Sequence, residues 1–296
     1  MGIKELYKFM KESGVDPLVC PLSVFAGCTV AIDVNYFMYN LMCVAVKDKL
    51  DDYYRSKDRD VVVKRWLEMF TNKYKLFTNN DIKTIWIFDG QAPKEKLKTQ
   101  EERQVIRSGN KEVVYKDHRF ENMRLEKKGL KGDVIDDGYR LTLEDLSKDV
   151  RIEWEEGDLL KKHLKELGAT VIIDPVREAE ELCAKMCREG DADAAYSADS
   201  DLVAYGCPVI IKSIEKGMAT VITTQQVLDS FGFDKDQLLT FCVLLGTDYN
   251  KRVHLHGPIK CYRIVRNYDN VMDYFKEKEL DTSCLDFDNV RNRFLK

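Results

Sequence analysis

Histidine is scarce in this chain of 296 residues, with four in all, and none of them stands at the exit of a strand-like run. Ser–His and Cys–His nucleophile arrangements therefore find no support. The nine cysteines include no CxxC pair, and Cys183 and Cys187 lack partners at zinc-ligand spacing. Lying mostly inside apolar runs, as Cys43 and Cys242 do, they read as buried thiols of a reducing, intracellular compartment. No apolar run nears the ~20 residues needed to cross a bilayer, so no membrane association is expected. The opening MGIKELYKFM has no long apolar stretch of a secretory signal, and Leu6 stands where a myristoylation signal requires Ser or Thr. There is no GxxxxGK[ST] loop, no glycine-rich dinucleotide fingerprint after a strand, no internal repeat and no low-complexity tract. A net charge of −4 also lacks the basic excess that advertises nucleic-acid binding.

What is present is an alternation of short apolar runs and helical periods. Residues 28–32 (CTVAI), 84–88 (TIWIF), 170–173 (TVII) and 194–198 (AAYSA) read as buried strands, and 208–211 and 219–222 add two more. Helical spacing marks 3–12, 35–49, 60–77, 159–167, 177–187 and 236–245, with Asp158 as an N-cap, and the pattern is helical again from Pro258. This alternation predicts an α/β fold with a mainly parallel, twisted sheet and helices on both faces. Between the second and third strands, 94–131 carries twelve Lys/Arg against seven Asp/Glu, while 132–158 carries three against ten. The basic part reads as a solvated helical excursion; the acidic part is a loop or a small extra element.

Five acidic clusters punctuate the chain: AIDVN at Asp33, IFDG at Asp89, PVREAEE at Glu178 and Glu180, SADSD at Asp199 and Asp201, and GTDY at Asp248. Four follow strand-like runs, whose carboxyl ends meet at one edge of a parallel sheet. Any single such Asp is as readily a helix cap or turn former. Pairs two apart are more specific, because an extended segment points both carboxylates the same way. Two such charges about 4 Å apart repel by roughly 4 kcal/mol at an effective dielectric near 20. Seven together require protonation or divalent cations, and the cations are the better account. DADAAYSADSD lacks the glycine and closing glutamate of an EF-hand loop. What remains is two-metal hydrolysis of a phosphodiester, with oxygen-only ligands that suit Mg2+, or Mn2+ in its place.

The set of motifs resembles the flap endonuclease family of structure-specific 5′ nucleases, within the Rad2/XPG superfamily. The matching pieces are MGI, VAIDVNYFMY, WIFDGQAPKEK, DPVREAEELCAKMCREGDADAAYSADSDLVAYG and LLGTDYN, in the family's order over most of residues 1–275. The resemblance implies a PIN-like nuclease core at 1–93 and 159–250, a helical arch over 94–158, and a helix–two-turn–helix segment with a tail at 251–296. It implies that Glu178, Glu180, Asp199 and Asp201 hold the catalytic metals, with Asp33, Asp89 and Asp248 completing the cluster. Lys96 and Arg103 match basic residues that steer the scissile phosphate, although on pattern alone they read as a solvated helix face. Arg107 falls in the same basic stretch. Tyr39 matches an aromatic that stacks on a nucleobase, against a plain reading as core packing. Gly2 would lie close to the site after removal of Met1.

The chain departs from the family at Leu255-His256-Gly257-Pro258-Ile259-Lys260, where a first glycine and one basic residue are missing. Gly257 and Lys260 survive, so the K+-mediated grip on duplex phosphate that the family implies there is expected to weaken. No sliding-clamp motif and no dense basic import cluster occurs, which points to a viral or otherwise minimal setting; a monomer inside the cell, in the nucleus or cytoplasm or at a viral replication site, is expected. The implied activity is cleavage of DNA at single-strand/duplex junctions, 5′ flaps foremost, with 5′–3′ exonuclease activity. The rivals are a junction resolvase or 5′–3′ exonuclease of the same superfamily, and a non-catalytic DNA-structure-binding protein.

Overall fold

The computed structural model describes residues 2–49, 58–90 and 152–295. Seven strands form one sheet: β1 (Leu18–Pro21), β2 (Thr29–Asp33), β3 (Lys83–Phe88), β4 (Thr170–Ile173), β5 (Ala194–Tyr196), β6 (Val209–Glu215) and β7 (Met218–Thr223). Their spatial order is β1-β7-β6-β5-β2-β3-β4. β4, β3, β2, β5 and β6 run parallel to one another, while β7 is antiparallel to both β6 and β1. The helices described are α1 (Leu6–Glu12), α2 (Val34–Asp48), α3 (Arg59–Thr78), α4 (Trp154–Glu166), α5 (Ala179–Glu189), α6 (Asp201–Ala204), α7 (Thr224–Phe231), α8 (Lys235–Leu245), α9 (Pro258–Asn267), α10 (Val271–Glu277) and α11 (Phe287–Phe294). The expected α/β architecture is what the chain adopts.

The central strand β2 is buried on both faces, with Val30, Ala31 and Ile32 inaccessible to solvent. Such a strand must be apolar throughout, which is why the TVAI run lacks alternation. β3 repeats the pattern through Trp86, Ile87 and Phe88. α5 turns Ala179, Cys183, Ala184 and Cys187 inward and stops at Gly190, whose φ of 85° is the left-handed conformation glycine adopts without strain. α7 and α8 both open with capping boxes, Thr223 with Gln226 and Asp234 with Gln237, which satisfy their first free N–H groups. Between these helices, Phe9, Phe231, Phe233, Phe241 and Tyr262 form an aromatic cluster with ring centroids 5.1–6.4 Å apart. Aromatic pairs at such separations add to the burial of their surfaces.

The chain divides into two compact units. The first comprises 2–36, 73–90 and 165–295 and holds the whole sheet. The second comprises 37–49, 58–72 and 152–164 and is helical. Within it, Trp66 Nε1 donates to the Met38 carbonyl at 3.1 Å, and Arg59 donates to both Glu156 oxygens at 2.7 and 2.9 Å.

Three local readings change. α4 begins at Trp154, so Asp158 lies within the helix and does not cap it. Glu156 instead closes the helix start, accepting from the Glu153 N–H at 2.9 Å while paired to Arg59. The edge strand β1 replaces what periodicity left unassigned, and the charged tail contains α11, with Val290 and Phe294 buried. Among the described residues, no helix is long and apolar enough to cross a membrane. Lys96, Arg103, Arg107 and most of the 94–158 insertion lie outside the described residues.

Candidate active site

The parallel register puts the carboxyl ends of β2, β3, β4 and β5 at one edge of the sheet. Asp33 closes β2 opposite Ile87, and Asp89 follows Phe88, which pairs with Ile173 at the end of β4. The turn 174–178 then delivers Glu178 to the start of α5. It is tied by Asp174, which accepts from the N–H groups of Val176 and Arg177 at 2.8 and 3.0 Å. Ile32 pairs with Tyr196, so Ser197 to Asp201 leave β5 beside Asp33.

Asp33, Asp89 and Asp199 are each held by a donor of the chain itself. Asp33 Oδ2 accepts from Ser197 Oγ at 2.8 Å, and Ser197 Oγ accepts in turn from the Asp199 N–H at 3.1 Å. Asp199 Oδ1 accepts from the Asp201 N–H at 3.0 Å, an Asx turn that opens α6. Asp89 Oδ1 accepts from the Ala179 N–H at 2.8 Å, so one acid of the set caps the helix that carries two others. Asp33, Glu178, Glu180, Asp201 and Asp248 are all buried, Asp199 is half-buried, and Asp89 faces solvent. Burying carboxylates together disfavours their charge. Accordingly burial, and next the charge of Asp89, push Asp33 up to about 7, against the lowering effect of the Ser197 hydrogen bond.

Gly2 belongs to this cluster. A Cβ on it would overlap the Asp199 carboxylate and come within 2.6 Å of Ser200 Oγ and 2.9 Å of Asp201 Oδ1, and its φ is +80°. Ser200 fixes that approach by accepting from the Ile3 N–H at 2.8 Å. Asp248 stands in a loop locked by Asn250, which accepts from both the N–H and the hydroxyl of Thr247 at 2.9 and 2.7 Å.

Two further residues reach the acids, Tyr249 from within the GTDY motif and Arg293 from outside every motif. The Tyr249 hydroxyl donates to Glu178 Oε2. Arg293, from α11, places its Nη2 3.4 Å from the same oxygen and its guanidinium 4.2 Å from the centre of the Tyr249 ring. Tyr249 adjoins Asp248 and could have been suspected from that position; Arg293 carries no local signal at all. Away from the acids, Gly257 is the N-cap of α9 with φ −72° and open space where a Cβ would go, and Lys260 is exposed. Tyr39, in the helical unit, is 40% exposed on α2 and is not a core residue.

The all-oxygen donor set, its burial and the raised Asp33 suit a hard divalent cation. Among the described residues, no group of three or more His, Cys, Asp or Glu is placed to hold a metal as it stands. The set fits a hard cation by the chemistry of its oxygen donors and by its place along one edge of the sheet.

Comparison with known proteins settles the relationship. Residues 1–110 match the XPG N-terminal domain and residues 170–248 the XPG I-region, together well over half the chain. The chain belongs to the Rad2/XPG flap endonuclease family. Its relatives include the RAD2-like 095R of Frog virus 3 (isolate Goorha), 26% identical over 92% of this chain and 77% of the relative. Flap endonuclease 1 of Fusarium vanettenii is 26% identical over 95% of this chain and 67% of its own, and flap endonuclease 1-2 of Paramecium tetraurelia 24% over 92% and 66%. The chain thus spans about two thirds to three quarters of these relatives. Among solved structures, the catalytic core of Rad2 in complex with DNA substrate superposes with a TM-score of 0.65 at 18% identity, covering 99% of this chain and 79% of that one. Flap endonuclease-1 from Methanococcus jannaschii gives 0.62 at 20% identity, covering 99% and 84%. These likenesses place the sheet and its carboxyl edge in the family's nuclease fold.

Proposed function

We propose that the chain is a metal-dependent, structure-specific 5′ nuclease that hydrolyses DNA phosphodiesters at single-strand/duplex junctions, 5′ flaps foremost, in replication or repair. The observation that carries this reading is the convergence of strand-end carboxylates at one sheet edge in a chain of this family. Relatives named flap endonuclease 1 and neighbours solved with DNA substrate support it. Asp33, Asp89, Glu178, Glu180, Asp199, Asp201 and Asp248 are the residues that would hold two Mg2+ ions, with Mn2+ able to substitute. Bound there, the ions supply Lewis acidity toward the phosphodiester and lower the pKa of water.

The protein's own part is to fix and desolvate the acids. The Ser197 and Tyr249 hydroxyls orient Asp33 and Glu178, and the absence of a Cβ at Gly2 lets the N-terminal backbone pack directly against Asp199. Lys96, Arg103 and Arg107 are assigned to phosphate contact, where positive charge counters charge developing on the reacting phosphoryl oxygens. Tyr39, half open to solvent, is assigned to stacking on an unpaired base. Gly257 and Lys260 are assigned to duplex phosphate, with K+ at the turn as the family resemblance implies. The segments 1–93 and 159–250 are proposed as the nuclease core, 94–158 as the arch and 251–296 as the duplex-binding segment and tail. We place the protein inside the cell, in the nucleus, the cytoplasm or a viral replication site, acting as a monomer.

A labelled 5′-flap DNA incubated with Mg2+ tests the reading, beside Asp199→Asn. Wild type should release the flap with a 5′-phosphate on the downstream product, and the variant should leave it intact. Binding of flap DNA by both proteins with cleavage by neither would sink the enzyme assignment in favour of a DNA-structure-binding protein. Preferential paired cutting of four-way junctions would transfer the activity to the resolvase branch, supported by a human GEN1 complex with Holliday junction DNA among the structural neighbours.

A further inference from the structure

Arg293 is placed unlike an ordinary surface arginine. It comes from α11, whose Phe294 packs against the Tyr205 ring at 4.6 Å and the Tyr249 ring at 5.9 Å. Its side chain is only 18% exposed, and its guanidinium lies over Tyr249 with Nη2 beside the buried Glu178. Its Nε is buried without a hydrogen-bond partner, as is the neighbouring Tyr205 hydroxyl. An unsatisfied guanidinium N–H in the interior is costly, and a long flexible side chain on a terminal helix could escape to water. What holds it is negative charge. Glu178 pairs with it directly, and its charge also reaches Glu181, where it opposes the rise that burial causes.

The contact has a consequence for any cation bound by the acids. Glu178 Oε2 is already shared between the Tyr249 hydroxyl and the Arg293 guanidinium. A cation binding to that carboxylate must meet a fixed positive charge a few ångström away. We propose that Arg293 is a positioning residue and resident counter-cation: it holds Glu178, offsets the crowded carboxylates and competes with an incoming metal for Glu178. The proposal rests on the metal assignment above and adds a device that sets how tightly the site binds. It makes metal occupancy depend on a helix distant in sequence from every acid.

The test measures Mn2+ binding directly, by the electron paramagnetic resonance signal of free Mn2+, and thermal unfolding in EDTA and in saturating Mg2+. Arg293→Met retains the aliphatic stem and removes the charge; Arg293→Gln serves if that variant folds poorly; Arg293→Lys restores the charge. The neutral variants should bind Mn2+ roughly ten-fold more tightly, the scale expected on removing a nearby like-signed charge in a partly screened site. They should lose stability in EDTA and regain most of it in Mg2+, while Arg293→Lys stays near wild type. Unchanged or weakened Mn2+ affinity in the neutral variants overturns the proposal, as does an equal stability loss with and without metal, which marks a packing role only. Failure of the wild type itself to bind Mn2+ defeats the metal assignment, and the proposal with it, and is distinguished by the wild-type titration alone.

Discussion

The carboxyl edge of the sheet and the turn before Pro258 were both marked by motif, and the chain constrains them very differently. At the edge, Asp33, Asp89 and Asp199 are each held by a named donor, and even Gly2 has no room for a methyl group. At the turn, Gly257 has an ordinary negative φ and open space around it, and Lys260 is solvated. Holding like charges together costs stability, so a cluster kept in spite of that cost points to chemistry. A turn that any residue could adopt carries little information about what it grips.

The widest separation between the two regions should come from Asp199→Asn. Removing a metal-holding charge forfeits several kcal/mol of transition-state stabilisation, which at 1.36 kcal/mol per tenfold is about 10³-fold in rate or more. Single-turnover cleavage of a 5′-flap DNA reads this, with flap binding in Ca2+ retained. A residual rate within tenfold of wild type would remove Asp199 from the proposed metal set.

Next comes Gly2→Ala. The new methyl group would displace the Asp199 carboxylate or the N-terminal segment, and a φ of +80° disfavours any L-residue. A misplacement of about 1 Å costs up to 10²-fold, so cleavage should fall roughly ten- to a hundred-fold while the melting temperature falls by only a few degrees. A variant with wild-type turnover would show that the tightness at Gly2 has no bearing on the acids.

Charge burial outside the acids supplies a control for the comparison. Lys73 donates to the Tyr196 hydroxyl at 3.0 Å and lies 5.0 Å from the centre of that ring, and burial lowers its pKa to about 8. The folded state therefore binds this proton less tightly than the unfolded chain, whose lysines titrate near 10.4. Stability is reduced below pH 8 and recovers as pH rises from about 8 to 10.4. Lys73→Met should stabilise the protein at pH 7 by about 1–2 kcal/mol, after discounting for the partly exposed side chain, with the gain shrinking across that window. Urea unfolding of both proteins at pH 7 and pH 10 measures it, and a gain independent of pH would assign it to packing.

How much the sequence disclosed follows the same division. β2 and β3 were legible because strands buried on both faces must be unbroken apolar runs, with their acids at fixed offsets from those runs, whereas β4, a half-exposed edge strand, was legible from its β-branched TVII run. β1 was not, since an edge strand with Leu18 and Val19 exposed between prolines need not alternate. The start of α4 was misplaced because Glu156 closes it by pairing with Arg59, 97 residues away. α11 hid in a charged tail because only Val290 and Phe294 are fully buried, with Phe287 packing partly buried against the core. For the same reason Arg293 escaped notice. Its role depends on where a helix docks, which no spacing within the helix records.

The smallest expected effect tests the loose side of the comparison. Gly257→Ala meets no atom within 4 Å and needs no positive φ, so folding stability should change by no more than about 0.5 kcal/mol. At the N-cap alanine is less favourable than glycine by roughly 0.5–1 kcal/mol, and it restricts the unfolded chain by a similar amount, which works the other way. Duplex affinity in K+ should hold within about two-fold if the backbone amides alone make the contact. Lys260→Ala, by contrast, should weaken binding uniformly across sequences and reduce the salt slope by about one. A Gly257→Ala variant that folds normally yet loses duplex affinity in K+ but not in Na+ would show that the turn grips an ion after all, and that open space around a glycine can be room kept for a ligand.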